Sequence, residues 1–73
     1  MIKKGTKIYY RPCFGLFDPK MVKVTGIIKS QYKRCKYGDE VESVSITDKD
    51  YCVFLLDDGH WCYGEQIDRV CPR

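Results

Sequence analysis

Short apolar runs, each bounded by glycine, proline or aspartate, recur along the whole chain. Residues 7–11 (KIYYR) form the first run, which stops at Pro12. No stretch of twelve residues carries apolar side chains at the helical spacing of i, i+3, i+4 and i+7. The runs are rich in β-branched and aromatic residues, which is typical of strands. The pattern therefore predicts an all-β chain.

The second run, residues 21–29 (MVKVTGIIK), alternates valines with polar residues before a central glycine. We expect Val22, Val24 and Ile28 to share one face of a strand. A glycine inside a strand indicates a bulge or a sharp bend, and Gly26 is predicted to provide one.

The second half of the chain predicts a hairpin and a closing turn. A returning strand is expected near residues 41–47, followed by a strongly apolar strand at 51–56 (YCVFLL). Asp-Asp-Gly at 57–59 is a turn sequence, so residues 60–63 are predicted to return as the partner strand. Residues 66–70 are predicted to form one 3₁₀ turn, with two apolar side chains three positions apart.

Composition is consistent with one small domain spanning residues 1–73. Six Tyr, three Phe and one Trp make 14% of the chain aromatic, enough to dominate a small core. We expect no membrane span, and the N-terminal segment lacks the apolar stretch of a secretory signal, which predicts a cytoplasmic location. The five cysteines cannot all pair within the chain, and a cytoplasmic chain would keep them reduced.

The order of these features resembles the SH3-like barrels of the Tudor type. The resemblance rests on the strand opened by residues 4–9, the bent run at 22–28, the hairpin at 51–59 that leads to Trp61, and the terminal segment 67–70. It implies a five-stranded SH3-like barrel with a short terminal 3₁₀ turn. Because this fold carries many unrelated binding functions, the resemblance implies a binding module without naming its ligand.

Aromatic residues near two loops are the main candidates for a binding site. The loop at residues 12–20 contains three large apolar side chains, which must either fold back on the domain or meet a partner. The alternative is that the rings simply fill the core of a small domain. We expect a protein or peptide partner to bind at Tyr10, Phe14, Phe17, Asp58, Trp61 and Tyr63. In Tudor-like domains, such loops build an aromatic cage for a methylated cation, helped by a carboxylate.

Charge is distributed unevenly between the two halves of the chain. Ten basic residues and one acid lie in residues 1–36, whereas three basic and nine acidic residues lie in residues 37–73. A basic sheet face interleaved with tyrosine is suited to nucleic acid, although an ordinary solvated face is the simpler interpretation. The candidate nucleic-acid residues are Lys7, Tyr9, Arg11, Lys23 and Lys29. A third interpretation is a structural subunit of a larger assembly.

Candidate chemistry is sparse. His60 and Cys62 lie two positions apart and could share a face with Cys52 and Cys71, but their spacing matches no familiar zinc site, and we expect neither a metal nor a cofactor. The chain has a single histidine and no phosphate-binding glycine loop or metalloprotease motif. The sequence therefore predicts a non-enzymatic protein.

Overall fold

The chain folds mostly into short antiparallel strands. The structure, a computed structural model, describes residues 1–71, apart from the side chain of Phe14. The strands are β1 (Ile2–Lys3), β2 (Lys7–Tyr10), β3 (Lys20–Lys29), β4 (Asp39–Glu40), β5 (Ser43–Val44), β6 (Cys52–Leu56), β7 (Trp61–Tyr63) and β8 (Ile67–Val70). One helical turn, α1 (Pro12–Gly15), and two 3₁₀ turns (Ile46–Tyr51 and Gly64–Gln66) complete the elements. The predicted all-β class is confirmed.

Strand β3 organises the larger sheet. The strands lie in the order β7-β6-β3-β2-β8, every neighbouring pair is antiparallel, and β4 also pairs with the end of β3. The first half of β3 pairs with β2 and its second half pairs with β6. Strands β1 and β5 form a separate two-stranded sheet. The ten residues of β3 therefore belong to both halves of the larger sheet.

The change of partner along β3 takes place at a bulge. The pairing with β6 shifts register between Val24 and Gly26, as the glycine predicted. An additional residue reverses the alternation of faces, so Ile27 is fully buried and Ile28 only half-buried. The expectation that Ile28 would share the face of Val22 and Val24 is wrong for this reason.

The predicted hairpin is confirmed in β6 and β7. The Gly59 N–H donates to the Leu56 carbonyl at 3.2 Å, and the Leu56 N–H donates to the His60 carbonyl at 2.9 Å. Gly59 has φ +87°, a left-handed conformation that costs a glycine little. The turn therefore consists of Asp57 and Asp58 followed by a glycine that returns the chain into β7.

Within residues 1–71, one apolar cluster joins the larger sheet to the small sheet. Alternate residues of β2, β3 and β6 point into it, as the period of a strand requires. Each buried aliphatic or aromatic side chain contributes about 1.5–3 kcal/mol relative to its exposed state. The buried members are Ile2, Ile8, Tyr10, Val22, Val24, Ile27, Val44, Cys52, Phe54, Leu56, Cys62 and Ile67.

Three other expectations need correction. The strand near residues 41–47 is only Ser43–Val44, because the chain then turns into the Ile46–Tyr51 3₁₀ segment. The terminal 3₁₀ turn lies earlier than expected, at Gly64–Gln66, and Ile67–Val70 is a strand because it pairs with β2. The loop after β2 begins with the helical turn α1.

The predicted barrel is confirmed only as a mostly β fold. Within residues 1–71, the sheets do not close into a barrel, because no pairing joins β7 to β8. The Gly64–Gln66 turn carries the chain between these two strands instead. In the same part of the chain, no helix has the length and apolar character needed to cross a bilayer.

Candidate binding surfaces

The carboxylate of Asp58 joins the hairpin turn to the start of the chain's longest strand and to β2. Its Oδ2 accepts hydrogen bonds from the Tyr10 hydroxyl at 2.9 Å and from Lys20 Nζ at 3.2 Å. Its Oδ1 accepts the backbone N–H of His60 at 2.9 Å, and His60 Nδ1 lies 3.4 Å from Oδ2. The Asp58 side chain is only 14% exposed, so these donors replace most of its water.

This network shifts the pKa of two groups in opposite directions. Burial alone would raise the pKa of Asp58, but the hydrogen bonds from His60, Tyr10 and Lys20 outweigh it and lower the pKa to about 2. Burial and the same carboxylate raise the pKa of Tyr10 to about 12. The pair is therefore an ionised carboxylate and a neutral phenol at physiological pH.

An open groove of about 540 Å³ lies above this network. Its lining includes two exposed rings, Phe17 (59% exposed) and Trp61 (38% exposed). Tyr10, Pro12, Cys13, Lys20, His60 and Gln66 complete the lining. We call this surface the aromatic groove. Hydrogen bonds to Asp58 fix Tyr10, Lys20 and His60 in this lining, whereas the exposed parts of Phe17 and Trp61 remain available to a ligand.

The two aromatic residues of β7 do not form facing walls of a cage. The rings of Trp61 and Tyr63 meet edge to face, with centroids 5.1 Å apart and planes at 88°. The ammonium of Lys36 already lies 5.2 Å from the Trp61 ring centroid. Of the two carboxylates that could help to hold a methylated cation, Asp57 and Asp58, Asp58 is occupied by three donors from its own chain. The arrangement suits an apolar side chain better than a cation.

A second groove, of about 530 Å³, adjoins the first at Gln66. The Gln66 side chain accepts the Tyr63 N–H at 2.9 Å and donates to the Arg11 carbonyl at 3.0 Å. Arg34 forms one wall, and its guanidinium donates to Glu65 at 2.7 and 2.9 Å. Gln66 therefore forms a fixed partition between the two grooves.

Three of the six residues predicted to bind a partner line the aromatic groove: Tyr10, Phe17 and Trp61. Asp58 does not line the groove but is bonded to Tyr10. Tyr63 instead lines the second groove. The Phe14 side chain lies outside the described residues. Sequence reasoning missed Lys20, His60 and Gln66, because nothing in their local sequence reveals contacts made across the fold.

The residues predicted to bind nucleic acid are only partly brought together. Lys7, Tyr9 and Lys23 share the outer face of β2 and β3. Arg11 instead pairs with Asp68 at 3.5 Å, and Lys29 pairs with Asp48 at 3.6 Å at the far end of β3. Sequence reasoning missed Arg69, whose guanidinium carbon lies 4.3 Å from the centroid of the Tyr9 ring.

The cysteines and the histidine do not assemble into a site. His60 is 73% exposed, whereas Cys62 is fully buried, because His60 still belongs to the turn and the alternation of β7 begins at Trp61. Cys13 lines the same groove as His60, but no hydrogen bond within 4.0 Å joins them. Within residues 1–71, no group of three His, Cys, Asp or Glu side chains could hold a metal ion.

Comparison with known proteins assigns no role to these residues: no family model matches the chain, and no curated protein or solved structure does.

Proposed function

We propose that this chain is a non-enzymatic binding module that holds a peptide segment of a partner protein in the aromatic groove. The observation that carries the proposal is the pair of exposed rings, Phe17 and Trp61, in the lining of one groove whose Tyr10, Lys20 and His60 are held by hydrogen bonds to Asp58. Large exposed apolar side chains beside a preformed concavity are the usual anchors of a binding site.

The arrangement of strands supports an SH3-like fold for this module, of the Tudor type. Strand β8, the last in sequence, pairs with β2, the first strand of the larger sheet. Strand β3 bends at Gly26 so that one strand serves both halves of the sheet. We propose that the fold is a five-stranded SH3-like barrel left open between β7 and β8, with β4 and the β1–β5 pair as additions.

The groove suits one large apolar side chain presented by an extended segment. Its volume of about 540 Å³ accommodates a single ring or branched aliphatic group beside Phe17 and Trp61, and Lys20 and His60 offer donors to the segment's backbone or polar groups. An interface of this size buries little surface, so the affinity of a single segment is expected to be about micromolar.

The groove supports binding rather than catalysis. His60 makes its side-chain contact with Asp58 and no hydrogen bond to Cys13, so the described residues of the groove contain no cysteine–histidine pair. A nucleophile of this kind needs a base within hydrogen-bond reach.

A displayed library of random 12-residue peptides tests the proposal. Selection on the wild-type chain should enrich peptides with a large apolar residue, and their affinity can be measured by fluorescence anisotropy. Phe17→Ser should weaken binding about tenfold or more, since it removes an apolar contact of about 1.4 kcal/mol or more. The matched control is Tyr37→Ser, because Tyr37 is an 82% exposed aromatic residue that does not line this groove.

Two results would contradict the proposal. One is a selection that enriches no peptide above background on the folded chain. The other is an equal effect of Phe17→Ser and Tyr37→Ser on every selected peptide, which would place binding outside the aromatic groove.

A further inference from the structure

Two lysines face each other directly on the outer side of β2 and β3. Lys7 is the register partner of Lys23. The backbone groups of Lys23 point away from β2, since its N–H donates to Asp57 Oδ1 at 3.1 Å and its carbonyl accepts the Asp57 N–H at 3.0 Å. The lysines therefore form a non-hydrogen-bonded pair, in which facing side chains lie closest. Like charges in this position repel and destabilise a sheet.

A third cation extends this face across β8. Arg69 is the register partner of Tyr9, and its guanidinium lies over the Tyr9 ring. Tyr9 is in turn the partner of Met21 on β3. The face thus has one row of two lysines and a neighbouring row of arginine, tyrosine and methionine. We call it the basic face.

None of these three cations has an ion-pair partner within 4.0 Å among residues 1–71. The Asp57 carboxylate accepts a hydrogen bond from the backbone N–H of Lys23, but it makes no ion pair with the Lys23 ammonium. Lys3, Lys33 and Lys36 also lack such a partner within residues 1–71, but Lys33 and Lys36 each lie over an aromatic ring, and six other basic residues do have ion-pair partners. These are Lys4, Arg11, Lys20, Lys29, Arg34 and Lys49.

A repulsive pair without a counter-charge violates a local rule of sheet design, and such violations are expected at functional sites. We propose that the basic face binds single-stranded nucleic acid, and that Lys7, Lys23 and Arg69 contact its phosphates. The phosphates supply the missing negative charge. A flat sheet bearing a ring and a stacked guanidinium is the kind of platform on which unpaired bases stack.

A membrane surface fits the basic face less well. Among the residues of these rows, Met21 is the one large hydrophobic residue that is mostly exposed, at 52%, and it lies beside the half-buried Tyr9. A sheet face that inserts into lipid needs more apolar area than one methionine provides. The planar Arg69–Tyr9 stack instead matches the flat faces of bases.

Anisotropy with a fluorescein-labelled 12-nucleotide oligothymidylate tests this inference. Three phosphate contacts predict a slope of about −2 for the logarithm of the association constant against that of salt concentration. Between 50 and 200 mM salt, the affinity should fall about 20-fold. Lys7→Gln and Lys23→Gln should each weaken binding and make the slope less negative by about 0.7. The affinity of each variant should then fall only about sevenfold over the same salt range.

The matched control is Lys29→Gln, which removes the same charge from a lysine already paired with Asp48. It should leave the slope unchanged. Circular dichroism and thermal unfolding check the fold of each variant, and Lys7→Gln should unfold no earlier than wild type, because it relieves a repulsion.

Three results would overturn the inference. The first is no oligonucleotide binding at 50 mM salt. The second is an equal loss in Lys29→Gln and Lys23→Gln, which would show that only net charge matters. The third is tighter binding to vesicles containing phosphatidylserine than to the oligonucleotide. Because the basic face and the aromatic groove lie on different surfaces, failure here leaves the peptide result untouched.

Discussion

Replacing Asp58 by asparagine tests the hydrogen-bond network beneath the aromatic groove. The substitution keeps the size and shape of the side chain but removes its charge. The asparagine amide can still accept one hydrogen bond, but the charge-assisted bonds from Tyr10 and Lys20 are lost or weakened. The hairpin turn would then be held to β2 and to Lys20 mainly by packing.

The magnitude follows from the pKa of Asp58. The folded value of about 2 lies below the ordinary value of about 3.9, so the ionised carboxylate favours the folded state. A shift of this size corresponds to roughly 2.6 kcal/mol when unscreened, and water in the open groove reduces it to about 1–2 kcal/mol. Asp58→Asn should therefore lower the free energy of unfolding by about 1–2 kcal/mol at pH 7, which is about 4–16 °C in Tm.

The pH dependence has a definite sign. A depressed carboxyl pKa contributes stability that is complete above about pH 4 and is lost as the pH falls towards 2. The difference between wild type and Asp58→Asn should therefore shrink over this interval and vanish below it. Other carboxylates titrate in the same range, but they do so in both proteins and cancel from the difference.

Urea unfolding, followed by the fluorescence of Trp61, the one tryptophan of the chain, measures the free energy of unfolding at pH 7 and its change with pH. The control is Asp39→Asn, because Asp39 is exposed and no other side chain is bonded to its carboxylate within residues 1–71. It should change the stability by less than about 0.5 kcal/mol. The reasoning would be refuted by equal stabilities of wild type and Asp58→Asn at pH 7, or by a difference that persists at pH 1.5.

Other consequences can be measured separately. Gly64→Ala should destabilise the fold by about 3 kcal/mol or more in urea unfolding, because its Cβ would overlap a backbone carbonyl. Gly26→Ala should cost less than about 1 kcal/mol, because its Cβ meets the flexible end of a leucine at 3.0 Å. Native mass spectrometry after iodoacetamide should find Cys13 modified and Cys62 protected, since Cys13 is exposed and burial raises the pKa of Cys62 to about 12. Lys7→Glu should stabilise the fold by about 0.5–1 kcal/mol in thermal unfolding, because it converts a repulsive cross-strand pair into an attractive one, and it should abolish oligonucleotide binding.

The parts of the fold that the sequence predicts are those coded by neighbouring residues. Strands β2, β3 and β6 have the alternation or apolar density of strands, and the turn at 57–59 has the residues that a tight turn needs. The bulge at Gly26 was also predictable, because a glycine inside a strand has few other uses.

The parts that sequence reasoning missed depend on contacts between distant segments. Strands β1 and β5 have two residues each, and they exist because Ile2 pairs with Val44, far along the chain. A pattern of two residues carries no periodicity. The pairing of Tyr10 with Asp58, 48 positions apart, is equally invisible locally, although the sequence did place both residues near one site.

The basic face shows how register limits prediction from sequence. Lys7, Lys23 and Lys29 all alternate with apolar neighbours, which predicted one common surface. The bulge in β3 and the length of that strand remove Lys29 from the surface, and the strand pairing of β8 brings Arg69 onto it. Knowing which residues face solvent is therefore not sufficient, because the register decides which of them are neighbours.

The turn between β6 and β7 connects the two proposed surfaces through adjacent aspartates. Asp57 bonds the backbone of Lys23 on the basic face, and Asp58 bonds Tyr10 and Lys20 beneath the aromatic groove. Because the two carboxylates point to different partners, Asp57→Asn should perturb oligonucleotide binding more than peptide binding, and Asp58→Asn should do the reverse. If one carboxylate supported both surfaces, its replacement would change the affinities for peptide and oligonucleotide equally. Measuring both affinities in both variants therefore decides whether the surfaces are independent.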